Sequence, residues 1–317
     1  MFCPYCLIKL QSSTRLCTGC QHQLPPEYVR CHSRWLSRDP AIVSVIGFKG
    51  HGKTVYLASL YYVLQNIVTR SWNAFFRQGW TMKTLEIIHD NVAMLKRGDL
   101  PLATDFVFPE PNIDRLFSMP YFGNRTLLVY DPPGEAFDLH VEEENLQRFA
   151  GFVKHSRCAL FLMSLTDLEQ FGEDEGIADE MYQLLERYNL GMTHMGAPDR
   201  FQHLIVVYTK ADRLLSYKGF PNEIISYLEK SEKESLHDVR AYLDSMKRNS
   251  ALLRDFTSET LNGQGFLSNA NAHFKSVEFC AVSALGSEPV GDKLSEQVMP
   301  RRVIDPLLWV LQKCGRR

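Results

Sequence analysis

The stretch GFKGHGKT, from Gly47 to Thr54, has residue types and spacing that suit phosphate binding. The apolar run 41–46 precedes it and 55–60 continues it at helical spacing, so the pattern predicts strand, loop and helix. Glycines let backbone N–H groups curl around an anion at the positive end of a helix, where Lys53 would reach the β and γ phosphates and Thr54 would ligate Mg²⁺. The predicted phosphate contacts are Gly47, Gly50, His51, Gly52 and Lys53. A glycine-rich turn that binds nothing is disfavoured by the flanking elements, and the loop alone leaves ATP and GTP open.

A second candidate lies where the apolar run 126–130 ends in the letters DPPG. Asp131 would hold a Mg²⁺-bound water, and the N–H of Gly134 would be free to meet a γ-phosphate. A strand followed by an Asp-Pro turn is common, so this signal is weak by itself. Its position and order behind the phosphate loop strengthen it.

A third candidate, TKAD, follows the apolar run 203–208. The carboxylate of Asp212 can accept two parallel hydrogen bonds from guanine N1–H and the N2 amino group, whereas adenine has neither donor. Lys210 would lie along the purine plane, and Thr209 would tie the loop back to the phosphate-binding segment. A solvated Lys and Asp would be the preferred interpretation if TKAD stood alone.

The fourth piece is SAL, after the run 276–282, where a backbone N–H next to Ser283, most plausibly that of Ala284, would donate to guanine O6. Ser-Ala-Leu is a weak signal by itself. The four pieces occur in a fixed order, each at the end of a predicted strand, and together they favour a guanine nucleotide.

GFKGHGKT, DPPG, TKAD and SAL together resemble the ordered motifs of the translation-factor and Ras-like (TRAFAC) class of P-loop GTPases, over roughly Ala41 to Leu285. The letters HGKT are similar to the phosphate loop of translational GTPases. The resemblance implies an α/β fold with a mostly parallel sheet flanked by helices. It also implies GTP/GDP and Mg²⁺ binding and two switch loops that order around the γ-phosphate. Among such proteins, the chain most resembles prokaryotic double-GTPase-type families, some of which carry an N-terminal zinc ribbon.

The resemblance also implies catalytic groups. Thr104, in a loop rich in helix-breaking residues, is the favoured first-switch threonine that would close on Mg²⁺, with an ordinary loop threonine as the alternative. Glu135 stands where Ras-like members have the glutamine that orients the attacking water; it cannot donate as an amide does, and its charge faces the γ-phosphate unfavourably. His140 is a second candidate for positioning water, or else a surface histidine. We therefore expect a slow GTPase that acts as a switch and needs a partner, with a GTP-dependent interaction scaffold of negligible hydrolysis as the alternative.

Four of the eight cysteines form two CxxC pairs, Cys3 with Cys6 and Cys17 with Cys20. Four thiolates at this spacing can surround one zinc ion tetrahedrally, and so short a segment has too little apolar mass to fold without such a clip. Two disulfides are the alternative, but they require an oxidising compartment. The zinc unit is expected to dock on a partner or to serve as structural support.

The chain of 317 residues, 45% of them apolar, can bury one large core or two smaller ones. We predict a zinc ribbon or knuckle with its linker over residues 1–35 and a P-loop GTPase domain over 36–317, with a helical insertion at about 214–262. Two more helices are expected: one near 179–189 with a core-facing stripe, and a closing amphipathic helix over 303–311.

Charge and hydropathy restrict the partners. The 35 Lys and Arg residues nearly balance the 37 Asp and Glu residues, which gives no electrostatic argument for nucleic acid but leaves that partner open. A protein partner or activator is favoured. No apolar run approaches the roughly 18 residues of a membrane span, and no export segment is recognisable, so the sequence predicts a soluble cytoplasmic protein.

Overall fold

The computed structural model describes residues 1–11, 14–32, 39–47, 50–77, 82–101, 111–131, 151–164, 177–215, 219–291, 293–294 and 296–315. Within these ranges seven strands form one sheet. They are β1 (Ala41–Ile46), β2 (Phe75–Arg77), β3 (Asn112–Met119), β4 (Gly123–Tyr130), β5 (Cys158–Ser164), β6 (His203–Thr209) and β7 (Val277–Ala281).

The strand order in the sheet is β2-β3-β4-β1-β5-β6-β7. Strands β4, β1, β5, β6 and β7 run parallel, and β2 and β3 form an antiparallel extension at one edge. Because parallel strands need crossover connections, helices cover both faces and the central strands are buried throughout. The expected α/β fold, a mostly parallel sheet flanked by helices, is confirmed.

The helices of the described chain connect these strands. They are α1 (Pro26–His32), α2 (Lys53–Val63), α3 (Met82–Arg97), α4 (Ile177–His194), α5 (Asn222–Glu229), α6 (Glu232–Ser235), α7 (Val239–Glu259), α8 (Gln264–His273) and α9 (Asp305–Gly315). Helix α2 continues through a π-helical turn, Leu64–Val68, and a short helical turn, Thr69–Ser71. None of the described helices combines the length and apolar character that crossing a membrane requires.

Alternate residues of the strands serve two hydrophobic clusters, one on each face of the sheet. Ile42 and Ile46 of β1 point into the cluster that includes α4 and α8. Val43 and Val45 point into the cluster that includes α2 and α9. This period of two is what a strand buried on both faces requires.

Two helices predicted from periodicity are present. The stripe of α4, which consists of Met181, Leu184, Leu185 and Tyr188, is buried as expected. Helix α9 differs from the amphipathic prediction, because every residue from 303 to 311 is buried. It packs against the central strands within the same cluster as α2, so it is enclosed around most of its circumference.

The N-terminal cysteine unit packs on the end of the sheet. Its two turns are closed by single antiparallel bridges, Phe2 to Lys9 and Leu16 to Gln23. The Tyr28 hydroxyl of α1 donates to the carbonyl oxygen of Phe2 at 2.7 Å, and the Tyr130 hydroxyl at the end of β4 donates to that of Pro4 at 2.5 Å. The cysteine unit is thereby joined to the residue immediately before Asp131.

Candidate functional site

The four sequence motifs meet at one end of the sheet, where the parallel strands terminate. Gly47 follows β1, Asp131 follows β4, Lys210 follows β6, and Ser283 lies two residues beyond β7. These strands are parallel, so their carboxyl ends lie side by side. In open α/β sheets this end is where ligands bind.

The phosphate loop leads directly into α2, which begins at Lys53. Gly50 and Gly52 have φ values of 87° and 76°, a left-handed region that favours glycine. The Lys53 side chain is buried at 7% exposure, and its Nζ donates to the carbonyl oxygen of Gly47 at 2.8 Å. The ammonium group therefore lies across the mouth of the loop, beside the positive end of α2. Phe48 and Lys49 lie outside the described residues.

His51 is held from two directions. It is 4% exposed; its Nδ1 lies 2.8 Å from the carbonyl oxygen of Leu162, and its Nε2 lies 2.7 Å from Oε1 of Glu180. Leu162 belongs to β5 and Glu180 to the first turn of α4. The phosphate loop is thus fixed to the next strand and to its helix. Sequence reasoning did not find Glu180, since 129 positions separate it from His51 and no local pattern marks the pair.

Thr54 and Asp131 are adjacent, with the Thr54 hydroxyl donating to Oδ2 of Asp131 at 3.3 Å. A hydroxyl and a carboxylate are hard oxygen donors, the kind that Mg²⁺ takes from proteins while keeping several of its waters. This donor set fits the Mg²⁺ ion that the first two motifs imply. Thr54 and Asp131 would hold the ion beside the nucleotide, and its positive charge would offset that of the phosphate groups.

The third motif is tied to the first. The Thr209 hydroxyl contacts the carbonyl oxygens of His51 and Met163, each at 3.1 Å. Lys210 has a φ of 54°, a left-handed conformation that begins the 3₁₀ turn Ala211–Leu214. This turn places Asp212 beyond the strand end.

The third and fourth motifs are joined through a side-chain hydrogen bond, in which the Ser283 hydroxyl donates to Oδ1 of Asp212 at 2.5 Å. The Ser283 oxygen in turn accepts from the backbone N–H of Gly286 at 2.9 Å. Ser59 of α2, completely buried, donates to the carbonyl oxygen of Ala284 at 2.7 Å. The carboxylate of Asp212 is therefore oriented, and the fourth motif is anchored to the helix that follows the phosphate loop. The role of Ser59 was not evident from sequence, because a serine within a helix has no distinguishing local pattern.

Several predicted residues lie outside the described residues. They are Thr104, the first-switch candidate; Gly134 of the second motif; and Glu135 and His140, the candidates for positioning water. Their roles remain predictions.

The four N-terminal cysteines form a candidate metal centre. Their Sγ atoms all lie within 4.8 Å of one another, with 3.7 Å between Cys3 and Cys20 and 3.5 Å between Cys6 and Cys17. A tetrahedral zinc ion with Zn–S bonds of about 2.3 Å places its sulfurs roughly 3.8 Å apart. These separations fit four thiolates around one ion. They exceed the roughly 2.05 Å of an S–S bond, and all four cysteines are free, which argues against the disulfide alternative.

Backbone N–H groups point to two of the four cysteine sulfurs. The N–H of Tyr5 points to the Cys3 sulfur, and the N–H groups of Gly19 and Cys20 point to the Cys17 sulfur, at 3.4 to 3.5 Å. Burial raises the pKa of Cys17, but the N–H groups of Cys20 and Gly19, together with the Cys6 and Cys20 side chains, outweigh it and lower that pKa to about 7. Burial raises the pKa of Cys6 to about 11. A metal ion would stabilise both as thiolates.

No protein-family model matches the chain, and no curated protein matches it. Solved structures that match include sup35 complexed with GDP, with a TM-score of 0.30 and 14% identity over 90% of this chain and 46% of that chain. The Ski7 GTPase-like domain of S. cerevisiae also matches. Bound to GDP and inorganic phosphate, it gives a TM-score of 0.34 and 15% identity over 88% of this chain and 51% of that chain. Bound to GTP, it gives 0.32 and 13% over the same shares. The chain spans about half the length of these structures.

Proposed function

We propose that this protein binds GTP and GDP with Mg²⁺ at the carboxyl edge of its sheet. The observation that carries the proposal is the pair Ser283–Asp212, which holds a carboxylate at the same edge as Lys53 and Thr54. A carboxylate matches the two donors of guanine and would face no donor on adenine. The contact from Thr209 to the His51 carbonyl links the base-binding loop to the phosphate loop.

We further propose that the protein hydrolyses GTP slowly to GDP and phosphate and acts as a molecular switch. Asp131 would hold Mg²⁺ through water, and Gly134, three residues later, would respond to the γ-phosphate. The sequence also favours a second candidate, a scaffold that binds GTP with negligible hydrolysis. Glu135 is the residue that supports this alternative, since a carboxylate in place of an amide orients the attacking water poorly.

The cysteine unit is proposed to hold Zn²⁺ and to give structural support or a docking surface for a protein partner. The contact from Tyr130 to Pro4 supports this role, because it connects the unit to the residue before Asp131. Any zinc-dependent change in the unit would then reach the second motif.

The base assignment is tested by measuring affinities of the purified protein for GTP, ATP and xanthosine triphosphate with Mg²⁺. We expect GTP to outcompete ATP by at least a hundredfold, Lys53→Ala to abolish binding, and Asp212→Asn to shift the preference towards the xanthine nucleotide. Asp255→Asn, an exposed substitution on α7, is the matched control and should change nothing. Equal affinity for ATP, or indifference to Asp212→Asn, would overturn the guanine assignment.

Phosphate release separates the switch from the scaffold. The switch requires release above the level of Lys53→Ala, and Glu135→Ala or His140→Ala should lower the release more than they lower GTP affinity. Tight GTP binding with release no faster than in Lys53→Ala would leave the scaffold as the function.

A further inference from the structure

A cavity lies at the other end of the parallel strands from the four motifs, where β5, β6 and β7 begin. It has a volume of about 700 Å³. Strand starts, α7 and α9 supply its lining, which includes Arg157, His203, Lys247, Lys275, Trp309 and Lys313. Strand β6 runs from His203 in this cavity to Thr209 at the nucleotide site, and six residue steps of about 3.3 Å place the two sites roughly 20 Å apart.

The cavity has a large excess of positive charge. Among the described residues that line it, Glu278 is the one acidic side chain, and Lys313 already engages it, with Nζ 2.5 Å from Oε1. Arg157 and Lys275 are exposed, and neither has an ion-pair partner among the described residues. Two full positive charges therefore face the cavity without compensation.

Lys247 adds a third charge that is only weakly compensated. Its Nζ lies 3.5 Å from Asp244, one turn earlier on α7, and both side chains are about half exposed. Exposed pairs of this kind contribute little and are screened by solvent, so the lysine remains available to another anion.

The pKa of His203 reflects the combined effect of three of these cations. Burial, followed by the positive charges of Lys313, Lys275 and Arg157, lowers its pKa to about 4. The three cations come from α9, from the segment before β7 and from the segment before β5. At neutral pH the ring is uncharged, with Nδ1 2.9 Å from the Ser276 hydroxyl.

Two aromatic residues also line the cavity. Trp309 lines the cavity, and Lys313 Nζ lies 5.2 Å from the centre of its ring. Phe201 forms another part of the lining. Most of the lining is polar or charged, and the cavity volume lies within the range of roughly 300–1,000 Å³ that is usual for small-molecule sites.

We propose that this cavity binds a small molecule that carries two or more adjacent phosphate groups. Arg157, Lys247 and Lys275 contact the phosphate oxygens, with Arg157 offering its planar fork to two of them. Phe201, which is partly exposed, contacts the remainder of the ligand. The site is separate from the phosphate loop and does not depend on the function proposed for it.

The test uses the full-length, metal-loaded protein in the Lys53→Ala background, which removes the phosphate-loop lysine. Tripolyphosphate without Mg²⁺ is the probe, followed by calorimetry and by the NMR signal of the His203 ring, assigned with His203→Gln. We expect saturable binding and a rise in the pKa of His203, because a bound polyanion favours its protonated form. The Arg157→Glu/Lys275→Glu double variant should weaken binding at least tenfold. Lys233→Glu, an exposed lysine outside the lining, should not.

Three results would overturn the proposal. One is no saturable binding in the Lys53→Ala background, which would assign any wild-type signal to the phosphate loop. The second is binding that the double variant leaves unchanged while its melting temperature matches that of the parent. The third is single-stranded RNA displacing tripolyphosphate at equal phosphate concentration, which would make the surface a nucleic-acid contact.

Discussion

His51 and Glu180 form a bridge between the phosphate loop and helix α4, with Nε2 of the histidine 2.7 Å from the glutamate carboxylate. The other ring nitrogen lies 2.8 Å from the carbonyl oxygen of Leu162. Because both ring nitrogens have a partner, the histidine is held in one orientation within the loop that we propose for phosphate binding.

Replacing Glu180 with alanine is expected to weaken GTP binding several-fold and to lower the melting temperature. The substitution removes the acceptor that fixes His51, at a cost of about 1 kcal/mol given the partial exposure of Glu180. Nucleotide titration and thermal unfolding measure the two effects. Asp179→Ala, one residue earlier on the same helix and exposed, is the control. Equal affinities for the two variants would mean that the bridge does not position the loop.

Ser283→Ala tests the orientation of the Asp212 carboxylate, which we propose binds the guanine base. The serine hydroxyl donates to Oδ1 of Asp212, and a hydrogen bond to a charged group contributes about 1.5–3 kcal/mol. We expect GTP affinity to fall roughly tenfold, with GDP affected equally because the contact concerns the base. Ser258→Ala, a partly exposed serine on α7 outside the four motifs, should leave both affinities unchanged. A loss confined to GTP would show that Ser283 acts on the γ-phosphate instead.

A buried ionic cluster joins α9 to the helices that precede it. Arg302 is 0% exposed and donates to the carbonyl oxygen of Tyr227, over whose ring its guanidinium lies at 3.9 Å. Asp305 accepts from the hydroxyls of Tyr227 and Tyr242, at 2.7 and 2.5 Å. Glu232 is buried beside them, with Oε1 3.5 Å from the N–H of Ile304. One guanidinium thus faces two carboxyl groups.

Burial raises the pKa of Glu232 from 4.5 to about 7 and that of Asp305 from 3.8 to about 6. The unfolded chain releases these protons at a lower pH than the folded protein. Their contribution to stability is therefore complete below about pH 4 and is lost as the pH rises towards 7.

Glu232→Gln should consequently remove part of this pH dependence. We expect the variant to match the parent near pH 4 and to exceed it at pH 8, by on the order of 3 kcal/mol at most in the free energy of unfolding. Urea unfolding at the two pH values measures the difference. Glu229→Gln, which is exposed, serves as the control. Greater stability of the parent at pH 8 would show that Glu232 is ionised there and paired with Arg302.

The strands that carry motifs were predictable because each is a continuous apolar run. The expected runs 41–46 and 203–208 correspond to β1 and to all but the last residue of β6. Such runs arise where a parallel strand is buried on both faces. Strand β3 has a mixed sequence, NIDRLFSM, and was not predicted; it lies towards the edge, and its buried Asp114 is satisfied by the Tyr61 hydroxyl at 2.6 Å.

Contacts between side chains that are distant in sequence depend on tertiary structure, so they were less predictable from the sequence. Glu180, Ser59 and the ionic cluster around Arg302 each pair residues far apart in sequence, and a single chain carries no local sign of such a pairing. The cysteine cluster was accessible for the opposite reason, since two CxxC turns specify most of its geometry by themselves.

Removing the metal should weaken nucleotide binding through Tyr130. Its hydroxyl donates to the Pro4 carbonyl at 2.5 Å, its ring stacks on Phe152 at 4.3 Å, and the next residue is Asp131. We expect one zinc ion per chain, lost in Cys17→Ser, and we expect metal loss to unfold the cysteine unit and weaken GTP binding several-fold. Elemental analysis and nucleotide titration before and after chelation measure this. Cys31→Ser, outside the cluster, should keep both metal and affinity.

Tyr130→Phe tests whether the hydrogen bond of Tyr130 transmits the effect of the metal. The variant retains the four cysteines and should bind zinc, but it lacks the hydroxyl, and the loss of this bond costs about 1 kcal/mol. If the tyrosine transmits the effect of the metal, chelation should change GTP affinity less in Tyr130→Phe than in the parent. The same loss of affinity in both proteins would mean that the effect travels through the packing of the unit instead. Unchanged affinity after complete metal loss in the parent would make the cysteine unit independent of the nucleotide site.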